Sequence, residues 1–127
     1  MAGNITDTFE NRMLDWSLGN SATAPTAPLK CRLMTANGSD SSAGTEVAGG
    51  SYTPQTVTFT ASSGGSTSNT ADLVFLGMPA CTVVGVEVWD SAGSPVRIWY
   101  GALSVSKVVS VGDAFKIPAG SLALSLD

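Results

Sequence analysis

The sequence predicts a mainly β fold, an antiparallel β-sandwich or jelly-roll-like domain of about seven to eight strands with a short N-terminal α-helix. Charged residues make up only 13% of the 127 residues, while valine, glycine and small hydroxyl residues recur throughout. This composition is typical of strands and turns. Short runs of alternating apolar and polar residues are separated by Gly, Pro, Ser and Asp at intervals of roughly 8–12 residues, which favours a sandwich over a parallel sheet.

The N-terminal element is predicted to be a helix. Phe9, Met13 and Trp16 follow the i, i+4, i+7 spacing of one helix face. Thr6 or Asp7 is suited to cap its start, and the Gly-Asn pair at positions 19 and 20 supplies a stop. A helix of about three turns is marginal alone, so its apolar face is expected to contact this domain or a neighbouring subunit.

Two segments are expected, an N-terminal helix with a Pro-rich connector at residues 1–28 and a β-sandwich domain at residues 29–127. The connector, SATAPTAP, contains prolines that disfavour a helix. Beyond the connector, the alternation of apolar and polar residues predicts strands. In chain order these strands cover residues 29–34, 56–61, 73–76, 82–90, 96–102, 105–111, 115–117 and 121–126. In the strand at 82–90, Val84, Val86 and Val88 are expected to share one face.

The loop-to-strand stretch GTEVAGGSYTPQTVTF is predicted to be structural. Gly49 and Gly50 permit positive φ angles where a long loop enters the sheet. Tyr52 is expected to anchor this entry with its ring, and Pro54 to stand at a strand start or an edge. The later stretch at residues 62–69, SSGGSTSN, is expected to form a flexible hairpin loop, because it lacks the Lys-Ser/Thr ending of a phosphate-binding loop.

Charge and hydropathy bear on the partners. A net charge of −4 with six scattered Lys and Arg residues leaves no basic stripe, so no nucleic-acid partner is expected. No segment approaches the roughly 18 uninterrupted apolar residues of a membrane span, and the N-terminus lacks the pattern of a signal peptide. We expect synthesis in a cytoplasm and no membrane partner.

Catalytic and metal-binding patterns are sparse. The chain has no histidine, which removes the commonest general base and most zinc sites. Four carboxylates, Asp72, Glu87, Asp90 and Asp113, are each predicted to lie at a strand end or turn and to bond local backbone. The spacing of oxygen ligands in residues 36–46 does not match a calcium loop. We therefore expect no enzyme activity, cofactor or metal.

The cysteines and tryptophans allow alternatives. Cys31 and Cys81 are predicted to be small buried hydrophobic residues, with a disulfide within or between chains as the alternative. Trp89 and Trp99 fall in adjacent predicted strands and could form a platform for a surface glycan, although packing at the rim of the core is the simpler interpretation. Trp89 alternates with the valines of its strand and is expected to face outward.

Three blocks together resemble a family of small tailed-bacteriophage virion structural proteins, described as tail-fibre, minor structural or head decoration proteins. They are GTEVAGGSYTPQTVTF at residues 44–59, SGGSTSNTADLVF at 63–75 and YGALSVSKVVSVGDAFKIPAGSLALSLD at 100–127. The segment TFENRMLDWSLG is also similar in kind to the N-terminal segment of the family. Residues 78–88 depart from the family pattern.

The resemblance implies a non-enzymatic building block of the virion. We expect a capsid decoration or cement protein that binds and stabilises the assembled head. The alternatives are a tail-fibre or minor tail component, and a carbohydrate-binding host-attachment domain. The implied partners are the major capsid protein or tail proteins together with further copies of this chain, by analogy a trimer. Phe9, Met13, Trp16, Trp89 and Trp99 are the candidate interaction residues.

Overall fold

The structure is a computed structural model that describes residues 2–126, so Met1 and Asp127, the outer ends of the two expected segments, lie outside the described residues. The prediction of a mainly β fold with one short helix is confirmed, with 42% strand and 9% helix. The elements are β1 (Ala2–Ile5), α1 (Asp7–Ser17), β2 (Leu29–Ala36), β3 (Thr45–Glu46), β4 (Gln55–Val57), β5 (Ser66–Ser68), β6 (Leu73–Phe75), β7 (Cys81–Trp89), β8 (Arg97–Val109), β9 (Phe115–Ile117) and β10 (Ala123–Ser125).

The strands form two sheets. The larger sheet has the order β3-β2-β7-β8-β1-β10-β5, with β4 also paired to β2, and the smaller sheet pairs β6 with β9. Neighbouring strands are antiparallel, as expected, except that β1 and β10 are parallel. The smaller sheet contributes to the same hydrophobic core as the inner face of the larger one, which gives a sandwich-like arrangement.

The core lies between these sheets and is aliphatic with two phenylalanines. Phe75 and Phe115 meet edge to face, with ring centroids 6.3 Å apart. The remaining buried members, from both sheets and the intervening loops, are Cys31, Leu33, Val47, Val57, Leu73, Met78, Val83, Val86, Val88, Val109, Ile117, Leu122 and Leu124. Their alternation along each strand leaves the other face of the larger sheet free to carry polar side chains.

A large irregularity in the β7–β8 pair changes the predicted pattern of β7. Gly85 lies opposite Ala102, but Val83 lies opposite Lys107, so β8 contains three residues more than a regular ladder would need. At the same point β7 departs from strict alternation, and Val83 enters the core in place of Val84, which was expected to share a face with Val86 and Val88. The same irregularity lets one strand run through the two segments predicted separately at 96–102 and 105–111.

The sequence did not predict β1 or β5. In β1, Asn4 and Ile5 lie opposite Tyr100 and Trp99 of β8. The chain therefore passes through the sheet before it enters the helix. The stretch at 62–69, predicted to be a flexible hairpin loop, does turn as a hairpin, with Ser63 and Ser66 paired across Gly64 and Gly65. It also contains β5, whose pairing with β10 across Ser68 and Ala123 was not predicted, because a Ser- and Gly-rich composition does not reveal a distant strand partner.

The predicted role of Tyr52 is confirmed. Its ring stacks on Phe75 at a centroid distance of 6.0 Å, and its hydroxyl donates to Glu46 Oε2 at 2.7 Å while accepting from the Leu33 backbone N–H at 3.0 Å. Burial and the bond to Glu46 raise the Tyr52 pKa. Gly49 and Gly50 have positive φ angles of 109° and 57°, as expected for the turn before it.

The two cysteines are not bonded to each other. Cys31 lies opposite Val88, whereas Cys81 lies at the start of β7, opposite Val109. Seven residues of strand separate these positions, or about 23 Å, which is far beyond the span of a disulfide. Cys31 is fully buried, as predicted, and burial raises its pKa to about 12. Cys81 is half-buried and packs at the margin of the core.

Candidate interaction surface

Helix α1 presents an unusually exposed apolar surface. None of its residues is buried, and Leu14 and Trp16 are 58% and 74% exposed. Leu18, the residue that caps its C-terminus, is 74% exposed. Leu126, from the end of the chain, lines the same cavity as Leu14 and Trp16. We call Leu14, Trp16, Leu18 and Leu126 the helix surface. Single exposed apolar residues are ordinary on soluble proteins, whereas a cluster of them is typical of an interaction site.

A groove runs between α1 and the connector. Phe9, Met13 and Trp16, the residues predicted to form the apolar helix face, line it together with Pro25, and its volume is about 220 Å³. Ala22, Thr23 and Ala24 complete the connector side, and Arg12 forms the remainder of the helix side. The Arg12 guanidinium donates to the Thr23 carbonyl at 3.4 Å across the floor. We call this cavity the helix groove.

The N-terminal end of α1 is fixed to the sheet by Thr6. Its backbone N–H donates to the Ile98 carbonyl at 2.9 Å, and its hydroxyl donates to the Arg97 carbonyl at 2.8 Å. The same hydroxyl accepts from the Phe9 N–H at 3.3 Å, so Thr6 is the N-cap, one of the two residues predicted for that role. The helix is therefore tethered at its start, while Leu14 and Trp16 remain largely in water.

The connector is fixed at its other end by Asp90. The Asp90 carboxylate accepts from the Thr26 N–H at 3.2 Å, from Ala92 at 3.3 Å and from Val96 at 2.8 Å. Burial alone would raise the Asp90 pKa, but these three donors outweigh it and leave the pKa lowered. The prediction that this acid serves a turn is confirmed, and the same carboxylate also holds one wall of the helix groove.

A buried ion pair lies on the outer face of the larger sheet and was not predicted. Glu87, expected at a strand end or turn, is in the middle of β7 and only 1% exposed. Its Oε2 lies 3.2 Å from Arg97 Nη1 and also accepts from the Gly44 N–H at 2.8 Å. Its Oε1 accepts from Trp89 Nε1 at 3.0 Å. Both of its carboxylate oxygens accept from donors of this chain, so Glu87 acts structurally.

The ion pair is covered by residues 37–44, which we call the cover loop. Arg97 donates through Nη2 to the Ser39 carbonyl, and the Tyr100 hydroxyl donates to the Asp40 carboxylate. The Asp40 carbonyl in turn accepts from the Asp7 N–H at 3.2 Å, in the first turn of α1. The cover loop therefore connects the buried charges to the start of the helix. The sequence offered no signal for this arrangement beyond the polar composition of the loop.

The candidate residues Trp89 and Trp99 do not form a common platform. Trp99 lies opposite Val88 and packs against the core, whereas Trp89 bonds to Glu87 on the outer face. The Arg32 guanidinium also covers the Trp89 ring at 4.2 Å from its centroid. The alternative of a shared glycan platform does not fit this arrangement, because the two rings lie on opposite faces of the sheet, whereas the preferred interpretation, packing at the rim of the core, holds for Trp99. Trp99 instead lines a cleft with Phe9.

A second exposed apolar region lies on β8 and just beyond it. Val105, Val108 and Val111 are 80%, 77% and 78% exposed, and Lys107 is exposed among them. We call residues 105–111 the valine segment. It begins within the irregular part of β8, where extra residues lift the chain out of the regular ladder. No feature of the sequence distinguished these valines from core valines.

Among residues 2–126, no cluster of three or more Cys, Asp and Glu side chains is placed to hold a metal ion. Over the same residues, no helix is both long and apolar enough to cross a membrane. The exposed apolar regions are the candidate interaction surfaces of the described residues.

Comparison with known proteins agrees with a virion component. A search of curated proteins returned no match. The sequence model of the Gp80 family, described as podophage GP4 fiber I protein gp80, matches residues 4–125. The match includes β1 from Asn4 onward, α1, the valine segment, the core strands and the helix surface except Leu126, which is nearly the entire described chain. The chain therefore belongs to the Gp80 family of phage fibre proteins.

Proposed function

We propose that this chain is a non-enzymatic structural component of the phage tail fibre, held there through the helix surface by a neighbouring protein subunit. The family match supports the fibre, which was the alternative in the sequence interpretation, better than the capsid decoration role that was preferred there. The virion is accordingly its place of action, and other virion proteins are its partners.

The observation that carries this proposal is the exposure of α1. An 11-residue helix is too short to be stable through its own backbone bonds, and amphipathic helices in globular proteins normally bury one face. Here Trp16 leaves roughly 150 Å² in water, given the 150–250 Å² that a buried aromatic side chain covers. A neighbouring subunit that covered Trp16 and Leu14 would supply the missing packing.

The anchored ends of the helix groove support a docking role. Thr6 and the cover loop fix the start of α1, and Asp90 fixes the connector, so the groove walls are positioned before any partner arrives. A preorganised surface loses less conformational entropy on binding than a mobile one. This favours a permanent structural contact over a transient encounter.

Particles carrying Leu14→Ser test the proposal. Leu14 is 58% exposed on a helix that has no buried residue, so we expect the substitution to leave the fold intact while it removes apolar contact area. We expect the protein to be depleted from purified particles at least ten-fold, measured by quantitative mass spectrometry. Val74→Ser is the matched control, because Val74 is 40% exposed on the smaller sheet, away from the helix. We expect this variant protein to be retained on the particles.

The copy number in the same measurement separates the two virion locations. A fibre component is expected at a few to some tens of copies per particle, whereas a decoration protein that covers the shell is expected at hundreds. Retention of Leu14→Ser at the wild-type level, or a copy number in the hundreds, would contradict the proposal.

A further inference from the structure

The cleft that Phe9 and Trp99 line opens at the margin of the core, and we call it the core cleft. Leu29, Phe59 and Trp99 pack against the buried core residues and also line this cleft. Phe9 of α1 and Pro25 of the connector complete its lining next to the helix. Its volume is about 330 Å³, near the lower end of the roughly 300–1,000 Å³ range of small-molecule sites. The core cleft therefore has room for a ligand of one or two rings.

Three aromatic rings give the core cleft apolar walls. Phe9, Phe59 and Trp99 are each half-buried, so each remains partly accessible. They come from three distant segments, which are α1, the stretch after β4, and β8. The face of an aromatic ring carries partial negative charge and attracts the weakly positive C–H groups of a ligand. The axial C–H groups of a sugar ring are of this kind, so a sugar ring is suited to pack against these walls.

Three hydroxyl groups line the same cleft, those of Thr60, Ser62 and Thr67. The Thr67 hydroxyl donates to the Thr60 carbonyl at 2.6 Å, and the two threonine hydroxyl oxygens lie 3.1 Å apart. Since the single Thr67 hydroxyl proton is already used, Thr60 donates the bond between the two side chains. The Ser68 N–H donates to the Thr60 oxygen at 3.4 Å. Each threonine oxygen therefore keeps one lone pair that can accept from a hydroxyl group of a ligand.

These hydroxyls distinguish a sugar from a purely apolar occupant. An apolar side chain of a neighbouring protein would remove water from Thr60, Ser62 and Thr67 without replacing the hydrogen bonds. A sugar presents an apolar face and several hydroxyl donors at once, so it matches both parts of the lining. This match favours a sugar as the occupant.

The lining of the core cleft is uncharged. Its ten lining residues within the described part of the chain are either apolar or carry a hydroxyl group, whereas the helix groove contains Arg12. A carboxylate or phosphate group placed in the core cleft would lose its water without gaining a counter-charge, which is costly. The lining therefore favours a neutral sugar over an acidic one.

The aromatic walls are held in place by residues outside the cleft. Phe59 lies opposite Asn69 in an antiparallel bridge, and the buried Asn69 side chain accepts from the Leu122 N–H at 2.9 Å. Trp99 lies opposite Val88 in the β7–β8 ladder. The walls are thus positioned before any ligand arrives, and a preformed site loses less conformational entropy on binding than a mobile one.

We propose that the core cleft binds one unit of a neutral oligosaccharide. The rings of Phe59 and Trp99 pack against the apolar face of the sugar, and the hydroxyls of Thr60, Ser62 and Thr67 bond to its hydroxyl groups. This goes beyond the proposed function, because it assigns a ligand to the chain at a place that none of the helix-surface residues lines.

An array of immobilised oligosaccharides, both neutral and acidic, tests the proposal with purified wild-type protein. We expect binding to at least one neutral oligosaccharide and no binding that requires an acidic sugar. The neutral oligosaccharide with the strongest signal is then titrated into wild-type and variant proteins by isothermal titration calorimetry, which measures Kd.

Two variants separate a sugar site from a structural role. Phe59→Leu keeps an apolar side chain at the margin of the core but removes the ring, so Kd should rise about ten-fold. Ser62→Ala removes an exposed hydroxyl and should raise Kd about three-fold with no change in the thermal midpoint of unfolding. Trp16→Leu is the matched control, because Trp16 is an aromatic residue that is 74% exposed outside the core cleft. Its Kd should equal that of wild type.

Four results would overturn the proposal. They are a wild-type protein that binds no neutral oligosaccharide on the array, binding of acidic oligosaccharides alone, an unchanged Kd in both Phe59→Leu and Ser62→Ala, and a loss of binding in Trp16→Leu, which would place the sugar on the helix surface. If no sugar binds while Phe59→Leu is depleted from purified particles, the cleft instead holds a side chain of a neighbouring virion protein.

The failure of this inference is distinguishable from failure of the proposed function. Sugar binding is measured on the purified protein, whereas the proposed function is measured by the retention of Leu14→Ser on particles. If Leu14→Ser is lost from particles and no sugar binds, only the sugar site is wrong. If Leu14→Ser is retained while the wild-type protein binds a neutral sugar in the core cleft, only the proposed function is wrong.

Discussion

Loss of the Glu87 carboxylate is expected to destabilise the fold far more than loss of a surface ion pair. Glu87→Ala removes the acceptor for Arg97, Gly44 and Trp89 and leaves the Arg97 guanidinium, which is 8% exposed, without its counter-charge. Breaking a buried pair from one side costs about 3–5 kcal/mol. That is a large fraction of the roughly 5–15 kcal/mol by which a domain is stable.

Lys116→Ala provides the comparison, because Lys116 Nζ and Asp72 Oδ2 are also 3.2 Å apart but are 56% and 48% exposed. An exposed pair contributes less than about 1 kcal/mol. Free energies of unfolding from urea titrations at pH 7 measure both variants. The double variant Glu87→Gln, Arg97→Met removes both charges and should lose less stability than Glu87→Ala. If Glu87→Ala costs no more than Lys116→Ala, the structural role assigned to Glu87 is refuted.

Three further predictions concern the core, the turns and the connector. Asp90→Asn should lower the free energy of unfolding at pH 7. Because the Asp90 pKa is lowered in the folded state, the difference in unfolding free energy between variant and wild type should shrink as the pH falls through and below the ordinary aspartate pKa of about 3.9. Urea titrations at several pH values measure this difference. Cys81 should react with a thiol reagent at least ten-fold faster than Cys31, which is fully buried with its pKa raised to about 12, as peptide mapping would show; equal rates would contradict the burial. Gly50→Ala should lower the thermal midpoint of unfolding more than Gly64→Ala. Both glycines have φ near 60°, but an added Cβ at Gly50 would lie 2.5 Å from the Gly77 carbonyl oxygen, whereas one at Gly64 would have no neighbour within 4 Å. Equal shifts in the midpoint would contradict this close approach.

Local sequence patterns predicted the helix and most of the strands, because each depends on neighbouring residues. The spacing of Phe9, Met13 and Trp16, with Thr6 before them and Gly19 after them, is sufficient to place α1. Alternation likewise predicted a strand at residues 121–126, where the structure buries Leu122 and Leu124. In these segments the local preference and the tertiary packing agree.

The remaining features depend on partners distant in the chain. The strand β1 has only four residues and no apolar alternation, and it forms because Asn4 and Ile5 pair with β8 about 95 positions later. The burial of Glu87 depends on Arg97 and Gly44, which a strand pattern does not identify. The irregularity in β8 likewise decides that Val83 is buried and Val105 exposed, although both lie in apolar runs.

The same limit applies to the candidate interaction residues. Their sequence spacing correctly grouped Phe9, Met13 and Trp16 around one groove. The sequence spacing could not show that Trp89 and Trp99 face opposite sides of the sheet. The strand pairing has an irregularity there: Trp89 pairs with Arg97 and Val88 pairs with Trp99, so Ile98 is an extra residue in β8. This extra residue sets the face on which Trp99 lies. The sequence spacing also could not separate the exposed valines from the core valines, since the two kinds have the same local surroundings.

The position of the chain on an intact phage particle tests the account most directly, and cryo-electron microscopy of purified particles measures it. The account predicts density for this fold on the tail fibre, with Trp16 and Leu14 covered by a neighbouring subunit. Density on the capsid shell, or on the fibre with the helix surface still facing solvent, would contradict it.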